Sequence, residues 1–125
     1  MRIVLNSNAT IKNLTVKNPD KKGEYDCAVC VNGANIVIDG CDISGYNAMK
    51  YCYATGNITI KNTKINGENF AVHFDGKAGG NIVFENCEIT GWCSYAYTVN
   101  SVSYTNCTLY KGNYEGHRYY NKNVS

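Results

Sequence analysis

Five times along this 125-residue chain the same six-residue phrase is written. The copies are Ile11-Lys12-Asn13-Leu14-Thr15-Val16, Ile38-Asp39-Gly40-Cys41-Asp42-Ile43, Ile60-Lys61-Asn62-Thr63-Lys64-Ile65, Phe84-Glu85-Asn86-Cys87-Glu88-Ile89 and Tyr104-Thr105-Asn106-Cys107-Thr108-Leu109. Each reads bulky apolar, variable, Asn or Gly, small or apolar, variable, bulky apolar. Side chains alternate along a strand, so both bulky ends of a phrase face one side only if the backbone turns sharply at the third position. Asn and Gly are the residues that tolerate the left-handed conformation such a corner uses. The clearest copy, Asn81-Ile82-Val83-Phe84-Glu85-Asn86-Cys87-Glu88-Ile89, thereby sends residues 82, 84, 87 and 89 to a common interior.

The phrases recur every 20 to 27 residues, a period in the range of stacked-repeat architectures. A third short apolar run separates them: Ile3-Val4-Leu5, Val29-Cys30-Val31, Tyr51-Cys52-Tyr53, Val72-His73-Phe74, Tyr95-Ala96-Tyr97 and Arg118-Tyr119-Tyr120. Three strands and three corners per coil predict an all-β solenoid of three parallel sheets and about five rungs, a single domain over residues 1–125 whose core is shared between coils. Residues 17–26, with the only proline, read as an exposed loop, and 75–80 as a second. No stretch has helical periodicity. The tail after Tyr120 resembles the start of a further rung, which fits either a short member of a longer solenoid family or a fragment of one.

Outward positions of the phrase alternate in charge from coil to coil. One column is Lys12, Asp39, Lys61, Glu85 and the other Asp42, Lys64, Glu88. In-register parallel stacking sets neighbours about 4.8 Å apart, and a slip of one rung would bring like charges together in both columns. Most acidic residues are thus assigned to register rather than to chemistry.

A formal charge of +2 with dispersed lysines is no nucleic-acid footprint. An apolar run of only three residues, Ile3-Val4-Leu5, precedes Asn6, so the start reads as neither a cleaved signal nor a membrane span. The chain is cysteine-rich, with seven, and an odd number leaves one unpaired. Cys41, Cys87 and Cys107 share the fourth position of the phrase with Leu14 and Thr63, which reads as small buried core residues rather than a disulfide framework. Unpaired thiols point to synthesis in a reducing place such as the cytoplasm, or to a virion.

With the repeats aligned, NITIKNTKING, NIVFENCEITG and NIVIDGCDISG resemble coils of the right-handed parallel β-helix family, which includes pectate-lyase-like enzymes and phage tail spikes. The resemblance spans roughly Ile3 to Tyr120. It implies a right-handed coil, consistent with the handedness of parallel crossovers. It also implies a side-chain ladder of Asn13, Asn62, Asn86 and Asn106 interrupted by Gly40. The family's lyases use an acidic calcium cluster beside a basic residue, and its hydrolases use neighbouring carboxylates. Neither pattern transfers, because the acidic columns are interleaved with lysine and the only arginines, Arg2 and Arg118, lie at the two ends.

The candidate site residues are accordingly non-catalytic. Tyr46 and Trp92, with Glu68 between them, fall after the second strand of successive coils and form an aromatic edge, with Tyr114 in a later loop. His73 and Asp75 form a polar pair at a strand end. If Val29, Val31, Tyr51, Tyr53, Val72 and Phe74 point inward, Cys30, Cys52 and His73 form an outward column, a zinc-like set whose spacing is too long to share an ion. No metal or other cofactor is expected. Arg118, Tyr119 and Tyr120 lie at the last rung, where an uncapped edge invites self-association or a partner.

The leading expectation is a binding module, without catalysis, that holds another macromolecule, glycan or protein, with neither nucleic acid nor membrane as partner. The rival is an intracellular phage inhibitor that blocks a host defence protein complex. A polysaccharide lyase or hydrolase ranks third.

Overall fold

The computed structural model describes residues 2–21, 26–52, 55–74, 79–93 and 99–110. Every repeated corner turns as its residue type predicts: φ is +55° at Asn13, +52° at Asn62, +54° at Asn86, +52° at Asn106 and +67° at Gly40. The strands entering these corners are β2 (Thr10–Lys12), β5 (Ile36–Asp39), β7 (Asn57–Lys61), β9 (Asn81–Glu85) and β11 (Ser101–Thr105). They form a five-stranded parallel sheet in which Ile11, Ile38, Ile60, Phe84 and Tyr104 stand in one column. The strands leaving the corners are β3 (Thr15–Asn18), β6 (Asp42–Tyr51), β8 (Lys64–Phe74), β10 (Glu88–Cys93) and β12 (Thr108–Tyr110). Val16, Ile43, Ile65, Ile89 and Leu109 are their inward column.

The third face is built from β1 (Ile3–Leu5), β4 (Val29–Val31) and the ends of β6 and β8. Because β6 and β8 run unbroken from the second face to the third, these two faces belong to one seven-stranded sheet. Three faces are therefore carried by two hydrogen-bonded sheets, where three were expected. The expected five rungs become about four turns, since five corner strands enclose four closed coils among the described residues. The predicted loop also begins later. Lys17 and Asn18 are still in β3, and the buried Asn18 amide donates to Asp26 Oδ1 and the Cys27 carbonyl, tying the loop's two ends together.

The interior is continuous along the axis. Val16, Ile38, Ile43, Ile60, Ile65, Ile82 and Ile89 are fully buried, and each packs on its counterpart one coil away. Tyr51 stacks on Phe74 at 5.2 Å, and Phe84 on Tyr104 at 4.8 Å. Burial decides the phase of the third face as expected, with Val29, Val31, Tyr51, Val72 and Phe74 inward. Its outward register differs: Cys30 pairs with Lys50 and Lys50 with His73, so Lys50 holds the place predicted for Cys52.

Asparagine amides line the corners. Asn86 donates to Asn62 and Asn62 to Asp39, which takes over where Gly40 breaks the ladder. Asn100, Asn81 and Asn57 form a second series, and Asn35 with Asn8 a short one. The charge columns hold the predicted register, Lys12–Asp39–Lys61–Glu85 and Asp42–Lys64–Glu88. Among the described residues the one ion pair within 4.0 Å lies elsewhere, between Lys21 and Glu68 at 3.8 Å.

Candidate functional site

Where β6, β8 and β10 bend from the second face to the third, their register slips, and glycine marks the bend. Gly45 pairs with Gly67, after which Asn47 pairs with Phe70; Thr90 pairs with Asn66, after which Trp92 also pairs with Phe70. A bulge leaves extra residues unpaired and re-aims their side chains. The bulged and flanking residues are Tyr46, Glu68, Asn69 and Trp92. They are thus bends inside continuous strands, where the sequence suggested turns between strands. Gly91 sits at φ +120°, and a Cβ there would come within 2.5 Å of the Gly67 carbonyl oxygen, so this column has no room for a side chain.

Over the bend lies a recess of about 230 Å³ lined by Lys21, Tyr46, Asn47, Asn69, Phe70, His73 and Trp92. Phe70 and His73 rings are 5.2 Å apart and His73 and Trp92 6.3 Å, both tilted. Tyr46, His73 and Trp92 are all half-buried, presenting ring surface to solvent. At the floor, the Asn69 amide donates to the Asn47 side-chain oxygen at 2.9 Å, and Asn47 is buried. Lys21 reaches in from the loop, its Nζ 5.1 Å from the centre of the Tyr46 ring. A second recess of about 380 Å³ continues along the same edge past Tyr46 and Lys21, lined by Lys17, Pro19, Ser44, Gly45, Asn66 and Glu68. The two together reach the size of small-ligand clefts, about 300–1,000 Å³.

The structure brings three residues named from sequence, Tyr46, His73 and Trp92, into this one recess. Asp75, Tyr114, Arg118, Tyr119 and Tyr120 lie outside the described residues. The zinc-like column does not assemble, because Lys50 separates Cys30 from His73, and among the described residues no three His, Cys, Asp or Glu side chains are grouped to hold a metal. Sequence reasoning missed Lys21, Asn47, Asn69 and Phe70. A signal for two of them was present: Gly45-Tyr46-Asn47 and Gly67-Glu68-Asn69 repeat a Gly-x-Asn pattern one coil apart, which marks both the bend and the amide pair.

Parallel coils with inward aliphatic columns, corner asparagines and a ligand-sized recess on one edge define a solenoid of the β-helix class. The right-handed β-helix region family model matches residues 3–125, and the chain belongs to that family. No curated protein and no solved structure matches the chain.

Proposed function

We propose that the chain is a non-catalytic binding module that holds a glycan in the recess at the bend. The observation that carries this reading is the convergence of Tyr46, His73 and Trp92 rings around the Asn47–Asn69 amide pair on rigid strands. Aromatic faces pack on the apolar faces of sugar rings, while amides and a lysine supply the directed donors and acceptors that sugar hydroxyls need. Glycosidase chemistry needs two carboxyl groups at defined separation. The residues lining the two recesses include one carboxylate, Glu68, already within 3.8 Å of Lys21.

Trp92 is the only tryptophan, so its emission reports on the recess directly. Titrating the chain with a panel of neutral and acidic oligosaccharides should shift Trp92 fluorescence saturably for at least one of them. Tyr46→Ala should weaken that binding about tenfold, near 1.4 kcal/mol. A panel without any saturable shift, or a Tyr46→Ala variant that binds as tightly as the parent, contradicts the assignment.

A further inference from the structure

Six of the seven cysteines fall into two environments, and the seventh, Cys93, is buried in the main core. Cys41, Cys87 and Cys107 directly follow the corner, at the fourth position of the phrase, and each thiol points at the carbonyl two residues before it, at 3.6, 3.3 and 3.4 Å. Cys41 and Cys87 are satisfied core thiols, whereas Cys107, expected to be buried with them, is half-buried at the edge of the core. Cys27, Cys30 and Cys52 instead gather outside the third face with Phe70, and Trp92 packs against the group. Cys27 Sγ and Cys30 Sγ are 2.9 Å apart, and neither forms a disulfide. Strand alternation would send side chains three residues apart to opposite faces, but Cys27 precedes β4, where the chain is still turning, and the two sulfurs meet. Arg2, an exposed side chain, donates Nη2 to Cys30 Sγ at 3.6 Å.

From this geometry we propose that Cys27 and Cys30 are a peroxide-reactive dithiol, with Cys30 the attacking sulfur and Cys27 the resolving one. The thiolate is the nucleophile in such chemistry, and a neighbouring guanidinium favours it. The hydrogen bond from Cys27, aided by Arg2 and opposed by burial, brings the Cys30 thiol down to about 6. The same hydrogen bond, with burial, pushes the Cys27 thiol up, so it stays protonated. The other groups facing Cys30 are Cys52, Asp26 through Arg2, and Lys50, its register partner on β6.

The steps balance. Cys30 thiolate attacks one oxygen of hydrogen peroxide; the S–O bond forms, the O–O bond breaks, and hydroxide leaves to take a proton from solvent. The sulfur is oxidised by two electrons to a sulfenic acid. Cys27 Sγ then attacks the Cys30 sulfur; the S–S bond forms, the S–O bond breaks, and the hydroxyl leaves as water with the Cys27 proton. Two thiols and one peroxide become one disulfide and two waters. Cys30 is only 2% exposed, so the oxidant must be small; a bulky disulfide such as oxidised glutathione cannot align with the sulfur.

The test exposes the folded chain to hydrogen peroxide, removes the peroxide, unfolds the chain in a maleimide to block the remaining buried thiols, and maps modified peptides by mass spectrometry. The expected product is one intrachain Cys27–Cys30 disulfide, with Cys41 and Cys87 still free. Cys27→Ser should leave a Cys30 sulfenic acid, which dimedone traps when the peroxide-treated chain is unfolded in its presence. Arg2→Gln, a change at an exposed position, should slow peroxide consumption at pH 6.5 at least threefold. Oxidised glutathione at equal concentration should react at least tenfold more slowly than peroxide. A disulfide from Cys30 to Cys52, reduced Cys27 and Cys30 under peroxide that fully oxidises free cysteine, no dimedone adduct in Cys27→Ser, or equal rates with oxidised glutathione would each overturn the proposal.

Discussion

Tyr51 is the residue whose chemistry fits its place least well. Its ring belongs in the core column, stacked on Phe74, but its hydroxyl is fully buried and has no hydrogen-bond partner among the described residues. Stranding a buried polar group costs about 1–3 kcal/mol. Tyr51→Phe should therefore raise the urea midpoint, by about 1 kcal/mol in stability; a loss of stability would mean that the hydroxyl is satisfied. Burial, with Cys87 and Cys93 nearby, holds the Tyr51 hydroxyl well above its ordinary range near 10, and burial pushes the Cys87 thiol up from about 9 to about 11. Both shifts are upward, so the unfolded chain releases these protons first. The contribution of these two groups is undiminished below pH 9 and falls as pH rises, through Cys87 from about 9 and additionally through Tyr51 above about 10. In Tyr51→Phe the second part of that decline disappears, which equilibrium unfolding between pH 8 and pH 11 measures. Corner residues were readable because asparagine or glycine at the third position of each phrase has one conformational reason to be there. Lys50 was not, since a lysine in an apolar strand gives no hint that it is fully buried.

The elements that escaped the sequence are the two long strands. Their apolar pattern predicts a break after each second-face strand, but β6 and β8 continue through a bulge whose length differs between coils: one residue at Tyr46, two at Glu68-Asn69. A difference of one residue leaves the alternation of each flanking run intact while shifting the register between them. That is why the third-face columns were misaligned by sequence, and why the recess, assembled from both sides of the bulge, was only half visible. The glycines at corner and bulge should respond differently to substitution. Gly40→Asn restores the residue type of the other four corners, at φ +67°, and its Cβ meets only the end of the Asn13 side chain, which can turn aside. It should change stability by less than about 1 kcal/mol. Gly67→Ala places its Cβ against the Phe70 carbonyl and 2.7 Å from the Ala71 nitrogen, both backbone, and should cost more than about 2 kcal/mol. Denaturant melts of the two variants side by side check this, and a tolerated Gly67→Ala would show that the bulge can rearrange.

For the molecule as a whole, each turn bonds only to the turns above and below it, and strand order within each face follows chain order. Repeat spacing and inward residues make this arrangement legible in the sequence, because one-dimensional order is written directly into periodicity. The hydrogen bonds between turns all run along the solenoid axis, and this has a mechanical consequence. Tension applied between the exposed corners at Leu14 and Asn106, at opposite ends of the corner series, pulls on those bonds lengthwise and concentrates load on one terminal turn at a time. Under optical tweezers the fibre of turns should peel like a zipper, in successive extensions of about 70–100 Å, the contour length of one 20-to-27-residue coil. A single rupture releasing the whole length would show that load is shared across turns rather than passed from one to the next.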